Sequence, residues 1–571
     1  MLIPYQFNKM AAGATVIDPN RAKAGERGVF TFLRNGSCNQ SCMTMKNRYL
    51  VSSNISRMEV SSAGLALNTT VNYGAEVLVH NGGTVSSTTV NGNGNIQINS
   101  GGFAQNTDIN YQGYVYVSPG GSASGGNVHS YGDLYAESNT RICGFHVSYG
   151  GGLYGQGTSV TFDSTVVSSG ADFNAGQDDG VQVLHTTITP GASFYCYTGM
   201  NLTHTTVMSN AMLYASSGAK CFDVTVGSGG RVAHGVWGHD SDTVITGSNQ
   251  YGSFWTSNGT AVNYVLAGGQ DQQLYYYANA ISTVMSSGGS QFVSFGATAQ
   301  HNTIFQYGYQ RIFSSGKSMD TTIMQGGSQF VEYFGTAIRT NVRSGAWMYV
   351  SNYGRAISTT VERYGTQYVS YGAAVTSTNV SGYQILSNGC SARFTTINSG
   401  AYQYIRYACS GSNTIVLSGG SLHISANTEY GGITVSDGGW LGIYEACKVS
   451  DISVGQVQMS LCNYCGATNV TVGNGGTLFV SNYSQLENVV ISSGGYFYMH
   501  SSNCNVTNTL IESGANFHLS RFNNATNVTI ASGGFLYVGS SASAFAVSSA
   551  AGASVTVETG GYIEYTIQEG E

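Results

Sequence analysis

Thr69-Thr70-Val71-Asn72-Tyr73-Gly74-Ala75-Glu76-Val77-Leu78-Val79 is followed, 19 residues on, by Thr88-Thr89-Val90-Asn91-Gly92-Asn93-Gly94-Asn95-Ile96-Gln97-Ile98. In both, a Thr-Thr-Val leads into small polar residues with Gly, then into a short strand. The plan returns at Thr205-Thr206-Val207, at Thr321-Thr322-Ile323 before Gly326, and at Thr359-Thr360-Val361 before Gly365. Taking the branched residue before each turn as a marker gives 25 markers between Val71 and Ile530. Of the 24 intervals, 17 are 19 residues and the rest run from 17 to 21. A period held that closely over so long a stretch marks a stacked-repeat architecture.

Each repeat reads as two short strands, one ending at the marker and one after the Gly turn, as in Val77-Leu78-Val79, Ile96-Gln97-Ile98 and Val115-Tyr116-Val117. Alternation places branched residues on one face and polar or aromatic residues on the other. Two strands alone cannot bury an apolar face. Stacked as coils they can, each strand pairing with its equivalent one period later. Gly and Asn suit the turns, because a positive φ costs them least. The expectation is a single-stranded parallel β-helix of about 25 coils over residues 56–540. At about 4.8 Å per coil that makes a rod of roughly 120 Å. Residues 1–55 lack the repeat, concentrate Lys and Arg, and are expected to cap the open end of the solenoid. Residues 541–571 are expected to form a looser terminal coil and an acidic tail.

Composition narrows the function. Gly is 78 of 571 residues, Pro only 4 and charged residues 9%, which with 42% hydrophobic and 12% aromatic content excludes a disordered Gly/Ser chain and a collagen. Lys and Arg total 21 against a net charge of −7, with no basic stripe to displace counterions, so no nucleic-acid partner is expected. No run of 18 apolar residues is present, so no transmembrane helix is expected, and the first residues show no signal peptide. The 11 Cys are oddly numbered and irregularly spaced. Most suit buried core positions. Cys38 and Cys42 are close enough to close a small loop, and Cys462-x-x-Cys465 has no second half to make a zinc site.

Several outward columns are candidate sites. His185, His204, Asp223 and Asp242 each precede a marker by three residues and recur every 19, so parity stacks them outward, where His and Asp suit a divalent metal. The acidic insertion Gly176-Gln177-Asp178-Asp179-Gly180 lies beside them, though calcium wants six or more oxygens. Thr before the marker forms an outward ladder that includes Thr70, Thr89, Thr206, Thr322 and Thr360. It either stacks on itself or carries glycosylation. Tyr114, Tyr116, Tyr135, Tyr154, Tyr195, Tyr214, Tyr368, Tyr404, Tyr498 and Tyr537 read as an exposed aromatic column suited to self-stacking or to contact with sugars and proteins. A polysaccharide lyase or hydrolase needs clustered carboxylates, with a basic residue close by in the lyase case. Acids are sparse, no neighbouring coils are expected to stack Asp with Arg, and no nucleophile elbow is present. The chain therefore reads as a non-enzyme with no cofactor.

Turns such as Met285-Ser286-Ser287-Gly288-Gly289 and Ile491-Ser492-Ser493-Gly494-Gly495 are each followed by an aromatic strand, Ser290-Gln291-Phe292-Val293-Ser294 and Tyr496-Phe497-Tyr498. They resemble the AIDA-type repeat of self-associating autotransporter passengers, over about residues 60–540. The resemblance implies a right-handed β-helix on the bacterial cell surface or secreted, acting as an adhesin in cell aggregation. Implied partners are host or neighbouring-cell glycans or proteins, further copies of the chain, and a dedicated glycosyltransferase. The family's translocating β-barrel is absent from this sequence. The alternatives are a self-assembling extracellular filament or coat protein and, in another class, a polysaccharide-active β-helix enzyme.

Overall fold

The computed structural model describes residues 57–566 apart from 62–63, 177–179, 217, 228, 235–243, 247–252, 258–259, 267 and 502. For Val29–Thr31, Thr44–Leu50, His234 and Ser253–Ser257 it describes the backbone alone. The described residues contain strands and no helix, and form a parallel β-solenoid of about 25 turns of roughly 19 residues. The chain divides into two units, Met1–Ile281 and Ser282–Glu571, with the same coil plan in each.

A coil has three straight segments, where the sequence suggests two. In Leu65–Val71 the alternation of inward and outward residues breaks at Asn68, which has φ 49° and turns the chain without ending the strand. Ala66, Thr69 and Val71 therefore all face inward. The equivalent residue is left-handed in nearly every described coil, including Asn106, His185, His204, Asp223, Asp320, Arg339, Phe394 and Asn527. Asn is well suited to this bend because its short amide tolerates a positive φ and also stacks. Along the second unit, Asn488 donates to Asn469 at 3.1 Å and Asn527 to Asn508 at 2.7 Å. After the bent strand a four-residue turn closes by a backbone bond, Ala75 N–H to Asn72 O at 2.9 Å in the second coil. A straight strand such as Glu76–Val79 follows, then a second turn.

In the first unit the straight strands pair in parallel in consecutive coils up to Asp172–Asn174, and a separate ladder starts at Ser193–Cys196. The break falls at the long coil carrying the acidic insertion, whose residues 177–179 lie outside the described set, as do Asp242, Cys38 and Cys42. Most of the expected cap at 1–55 also lies outside it. Within that segment Thr44–Leu50 pairs in register with Leu65–Val71, and Val29–Thr31 with Arg57–Val60, so the parallel ladder reaches into it. At the other end Ser543–Ser549 and Ser554–Val557 pair regularly, and a register shift appears only where Ser543–Ser549 meets Tyr562–Tyr565.

The interior of the second unit changes chemistry along its length. One straight-strand column reads Gln291, Gln310, Gln329, Met348, Gln367, Gln384, Gln403, then Leu422, Leu441, Met459, Leu478, Phe497, Phe517, Leu536, register by register. All are fully buried. Stacked amides satisfy one another. Gln310 Nε2 donates to Gln291 at 2.6 Å, Gln329 to Gln310 at 2.7 Å, Gln384 to Gln367 at 2.7 Å and Gln403 to Gln384 at 2.6 Å. Where the ladder ends, the Gln403 amide also hydrogen-bonds the Tyr430 hydroxyl, which shares a 2.6 Å bond with Thr414. Gly411 makes room for that ring: a Cβ there would lie 2.0 Å from Tyr430 Cε2.

Candidate functional site

In the first unit His185, His204 and Asp223 of the expected polar column meet in order, and Asp163 joins them. His185 and His204 stack at 5.0 Å and 20°. His204 Nε2 lies 3.3 Å from Asp223 Oδ2, while His185 Nδ1 turns the other way to Asp163 Oδ1 at 3.0 Å. Asp163 also receives Arg141 Nη2 at 2.7 Å and the Ser164 hydroxyl at 3.0 Å. Burial raises the Asp163 pKa, but the bonds from His185 and Ser164 and the charges of Arg141 and His185 together hold it below the ordinary aspartate value. His185, His204 and Asp223 point outward because each occupies the left-handed bend. Among the described residues, no three His, Cys, Asp or Glu side chains gather as a metal-holding group.

One expectation is overturned. Neighbouring coils do stack Asp with Arg: Arg141 on Asp163, and Arg339 on Asp320, where Nη2 and Oδ2 are 2.7 Å apart and Nε makes a second bond. Asp320 and Arg339 each precede a marker by three residues, Ile323 and Val342, the same repeat position as His185 and His204. The bond from Arg339 lowers the Asp320 pKa. A carboxylate held that way is a poor proton acceptor at neutral pH.

The Thr ladder splits in two. Thr69, Thr88, Thr205, Thr321 and Thr359, the first of each Thr-Thr pair, are buried. Thr70, Thr89, Thr206 and Thr322 are half-buried on the outer face and Thr360 is exposed. Thr70 lies opposite Thr89, and Thr303 opposite Thr322.

The tyrosines stack on each other. Tyr116, Tyr135 and Tyr154 share a register, and the rings of Tyr135 and Tyr154 are 4.6 Å apart at 21°. Tyr114 belongs to the neighbouring row, opposite Asp133. Tyr195 stacks on Tyr214 at 4.7 Å. In the second unit, Tyr349 stacks on Tyr368 at 5.2 Å, Tyr404 on His423 at 4.7 Å and Tyr498 on His518 at 4.8 Å. Ring faces are covered by their neighbours, so a ligand meets edges and hydroxyls. Two hydroxyls are tied down. Tyr116 bonds Glu137, which with burial pushes its pKa up to about 12, and Tyr154 donates to Asp172 at 2.9 Å, its pKa raised by burial and then by that bond.

Composition gave no hint of a second aromatic set, in the second unit, at the turn after the straight strand. Both central residues of that turn have positive φ, for example Tyr333 and Phe334 at 47° and 66° and Asn463 and Tyr464 at 64° each. This is the backbone of Asn-Gly turns, yet Phe295, Tyr333, Phe334, Tyr353, Tyr371, Tyr407, Tyr464, Tyr483 and Phe522 fill it. They are 48% to 66% exposed. The turn backbone is held by the next coil, as in Tyr464 N–H to Asn482 O at 2.9 Å. A bulky residue pays about 1–2 kcal/mol of strain to sit there, offset in part where the rings stack coil on coil, Phe334 on Tyr353 at 5.6 Å and Tyr464 on Tyr483 at 5.0 Å. Also in this unit, a groove of about 840 Å³ follows the outer side of the bent strands. It passes Gly411, Gly431 and Gly466 and is flanked by Arg393, Glu429, Lys448 and Glu487.

No known family profile matches the chain, and no curated protein does. Among solved structures, a hyper-glycosylated TibA fragment, its glycosylation catalysed by TibC, is 24% identical. The match covers 65% of this chain and 99% of that one, with a TM-score of 0.25. No helix among the described residues is long and apolar enough to cross a membrane.

Proposed function

We propose that this chain is an adhesive, non-catalytic surface solenoid, similar to a bacterial passenger with AIDA-type repeats. In this reading it binds repetitive ligands, cell-surface glycans or further copies of itself, through many weak equivalent contacts. The observation that carries the reading is the row of exposed aromatic rings in left-handed turns. Stacking between coils offsets part of the backbone strain, and the large ring area left open to solvent is what a partner would cover. The groove beside the bent strands offers a polar channel along the stacking direction. Its coils recur about every 4.8 Å, close to the advance of one sugar in an extended glycan. Linked weak contacts gain avidity with no deep pocket. Outward Thr70, Thr89, Thr206, Thr322 and Thr360 are the proposed points of sugar attachment by a glycosyltransferase, which an intact mass above that of the bare chain would reveal. The expected capping role of residues 1–55 belongs to the same proposal, and deleting them should cause aggregation.

The test separates binding from folding. Asn is favoured where Phe334, Tyr353, Tyr464 and Tyr483 sit, so replacing all four with Asn relieves backbone strain while losing two stacked ring pairs, and thermal stability should change little. Binding in cell-aggregation and glycan-retention assays should fall on the order of 10²-fold, with each single change giving a fraction of that. Unchanged binding in the fourfold variant, or complete loss from one substitution, overturns the reading. A measured turnover of a polysaccharide would support the enzyme alternative instead.

A further inference from the structure

Five cysteines of the second unit fall in one column just inside the corner that carries the exposed aromatic turns: Cys390, Cys409, Cys447, Cys465 and Cys504, all buried, with Thr428 and Ser484 in the coils between. The adjacent pairs Ser391 opposite Ser410 and Lys448 opposite Gly466 fix their register. Spacing that looks irregular in the chain is therefore regular in coils. The position needs a short donor that closes the turn. Thr428 and Ser484 hydroxyls donate to Ser425 O and Ser481 O at 2.8 Å, and the thiols of Cys409, Cys447 and Cys465 donate to Arg406 O, Tyr444 O and Cys462 O at 3.1, 3.1 and 2.9 Å. A hydroxyl does that work equally well. What a thiol adds is contact with the thiol of the next coil. Cys390 Sγ and Cys409 Sγ are 2.9 Å apart, and the Cys447 and Cys465 thiols are also hydrogen-bonded. Parallel stacking holds consecutive Cα atoms about 4.8 Å apart, within the roughly 4.4–6.8 Å that a disulfide spans. Cys504 has Ser484 in the preceding coil and Asn523 in the next, so it has no such partner.

We propose that Cys390–Cys409 and Cys447–Cys465 are sites of covalent modification, each pair closing into a disulfide staple between consecutive coils when the chain meets a small-molecule disulfide oxidant. In each pair one thiolate attacks a sulfur of the oxidant, forming a mixed disulfide and releasing one thiolate. The second protein thiol, as it loses its proton, attacks the Sγ of the first cysteine, forming the Sγ–Sγ bond, breaking the mixed disulfide and releasing the second oxidant thiol. The protein loses two hydrogens per staple and the oxidant is reduced to two thiols. Cys409 is suited to the first attack: the bond from Cys390 draws its thiol down to about 7 against the effect of burial, while Cys390 is pushed up. Cys409 follows directly on the turn at Tyr407 and Ala408, so opening one exposed turn admits the oxidant without opening the core.

The full chain, purified reduced and equilibrated with a glutathione mixture rich in the oxidised form, should lose two hydrogens at each of these two pairs. Denaturation, alkylation and peptide mapping should then find Cys390 joined to Cys409, Cys447 joined to Cys465, and Cys504 alkylated. Cys409→Ser and Cys465→Ser keep the turn-closing donor. Each should retain the circular dichroism of the parent, lose one staple, and lose part of the rise in thermal midpoint that oxidation gives the parent. All four thiols remaining alkylated, or pairing with other cysteines or other chains, overturns the proposal. So does a rise in midpoint that survives in the double variant.

Discussion

Residues 290–405 and residues 421–538 belong to one unit, share turns and register, and bury the same columns; branched residues fill some of these in both stretches, yet two columns that carry mostly Gln and Thr in the first carry mostly Leu, Met, Phe, Ile and Val in the second. The straight-strand column changes from Gln403 to Leu422. The bent-strand column changes over the same coils, from buried Thr321, Thr340 and Thr359 to buried Ile433, Ile452 and Val470. A coil fixes the direction and spacing of its side chains and leaves their chemistry open, provided most interior polar groups find a partner in a neighbouring coil; Gln403 Oε1, at the end of the ladder, has none. A buried Leu or Phe contributes about 1.5–3 kcal/mol wherever it packs. A buried Gln is tolerable only because another Gln stands one coil away, since an unpaired amide costs about 1–3 kcal/mol. The amide stretch therefore specifies register and the aliphatic stretch supplies bulk stabilisation. Tyr430 joins them, its ring among aliphatic neighbours and its hydroxyl on Gln403 and Thr414.

Moving one chemistry into the other stretch should have the largest effect. Phe497 stacks on Phe517 at 4.4 Å. Phe497→Gln leaves an unpartnered amide and a void, and should cost about 3–5 kcal/mol. Hydrogen exchange should show the loss centred on the neighbouring coils, because a solenoid couples mainly nearest neighbours. An effect below 1 kcal/mol would mean that amides are tolerated without a ladder. Smaller is Gln310→Leu, which strips partners from Gln291, Gln329 and the Ser318 hydroxyl. It should cost about 1–3 kcal/mol. Replacing Gln291, Gln310 and Gln329 together by Leu should cost less than three times the single change, as the mutual dependence disappears with the amides. Strict additivity in denaturation would contradict the ladder.

The smallest effect is one of pH. Burial pushes the Tyr430 phenol up to about 12, with the bonds from Thr414 and Gln403 opposing. The folded value lies above the ordinary value of about 10. The neutral phenol thus contributes stability that is complete below about pH 10 and lost as the pH rises toward 12. Alkaline unfolding should begin in these coils, and Tyr430→Phe should move its midpoint to higher pH, followed by tyrosinate absorbance and circular dichroism. No upward movement would place the alkaline weakness elsewhere.

The sequence made the coil legible because packing forces the markers inward: Val71, Val90 and nearly all their successors are buried, the exceptions being Val265 and Val284, where the inward residue is the next one, Leu266 and Met285. It also revealed the outward Thr and most of the Tyr rows, which follow from simple alternation. The bend was not legible. Its residues are as unlike as Asn68, His185, Arg339 and Phe394, and only the left-handed φ unites them. The pairing of Arg339 with Asp320, by contrast, follows the three-before-the-marker spacing and was open to reading. The aromatic turns were hidden for a related reason, since Tyr and Phe are not the residues a doubly left-handed turn selects.

By itself the sequence determined the period, the strands, the inward markers and hence a parallel stack, because hydrophobic burial and turn chemistry act within one repeat. Whatever depends on the atom one coil away was decided only by the tertiary structure: which His meets which Asp, which Gln completes which amide, and which thiol touches which. Those partners are about 19 residues distant in the chain, and the coil spacing brings them within reach of a single hydrogen bond.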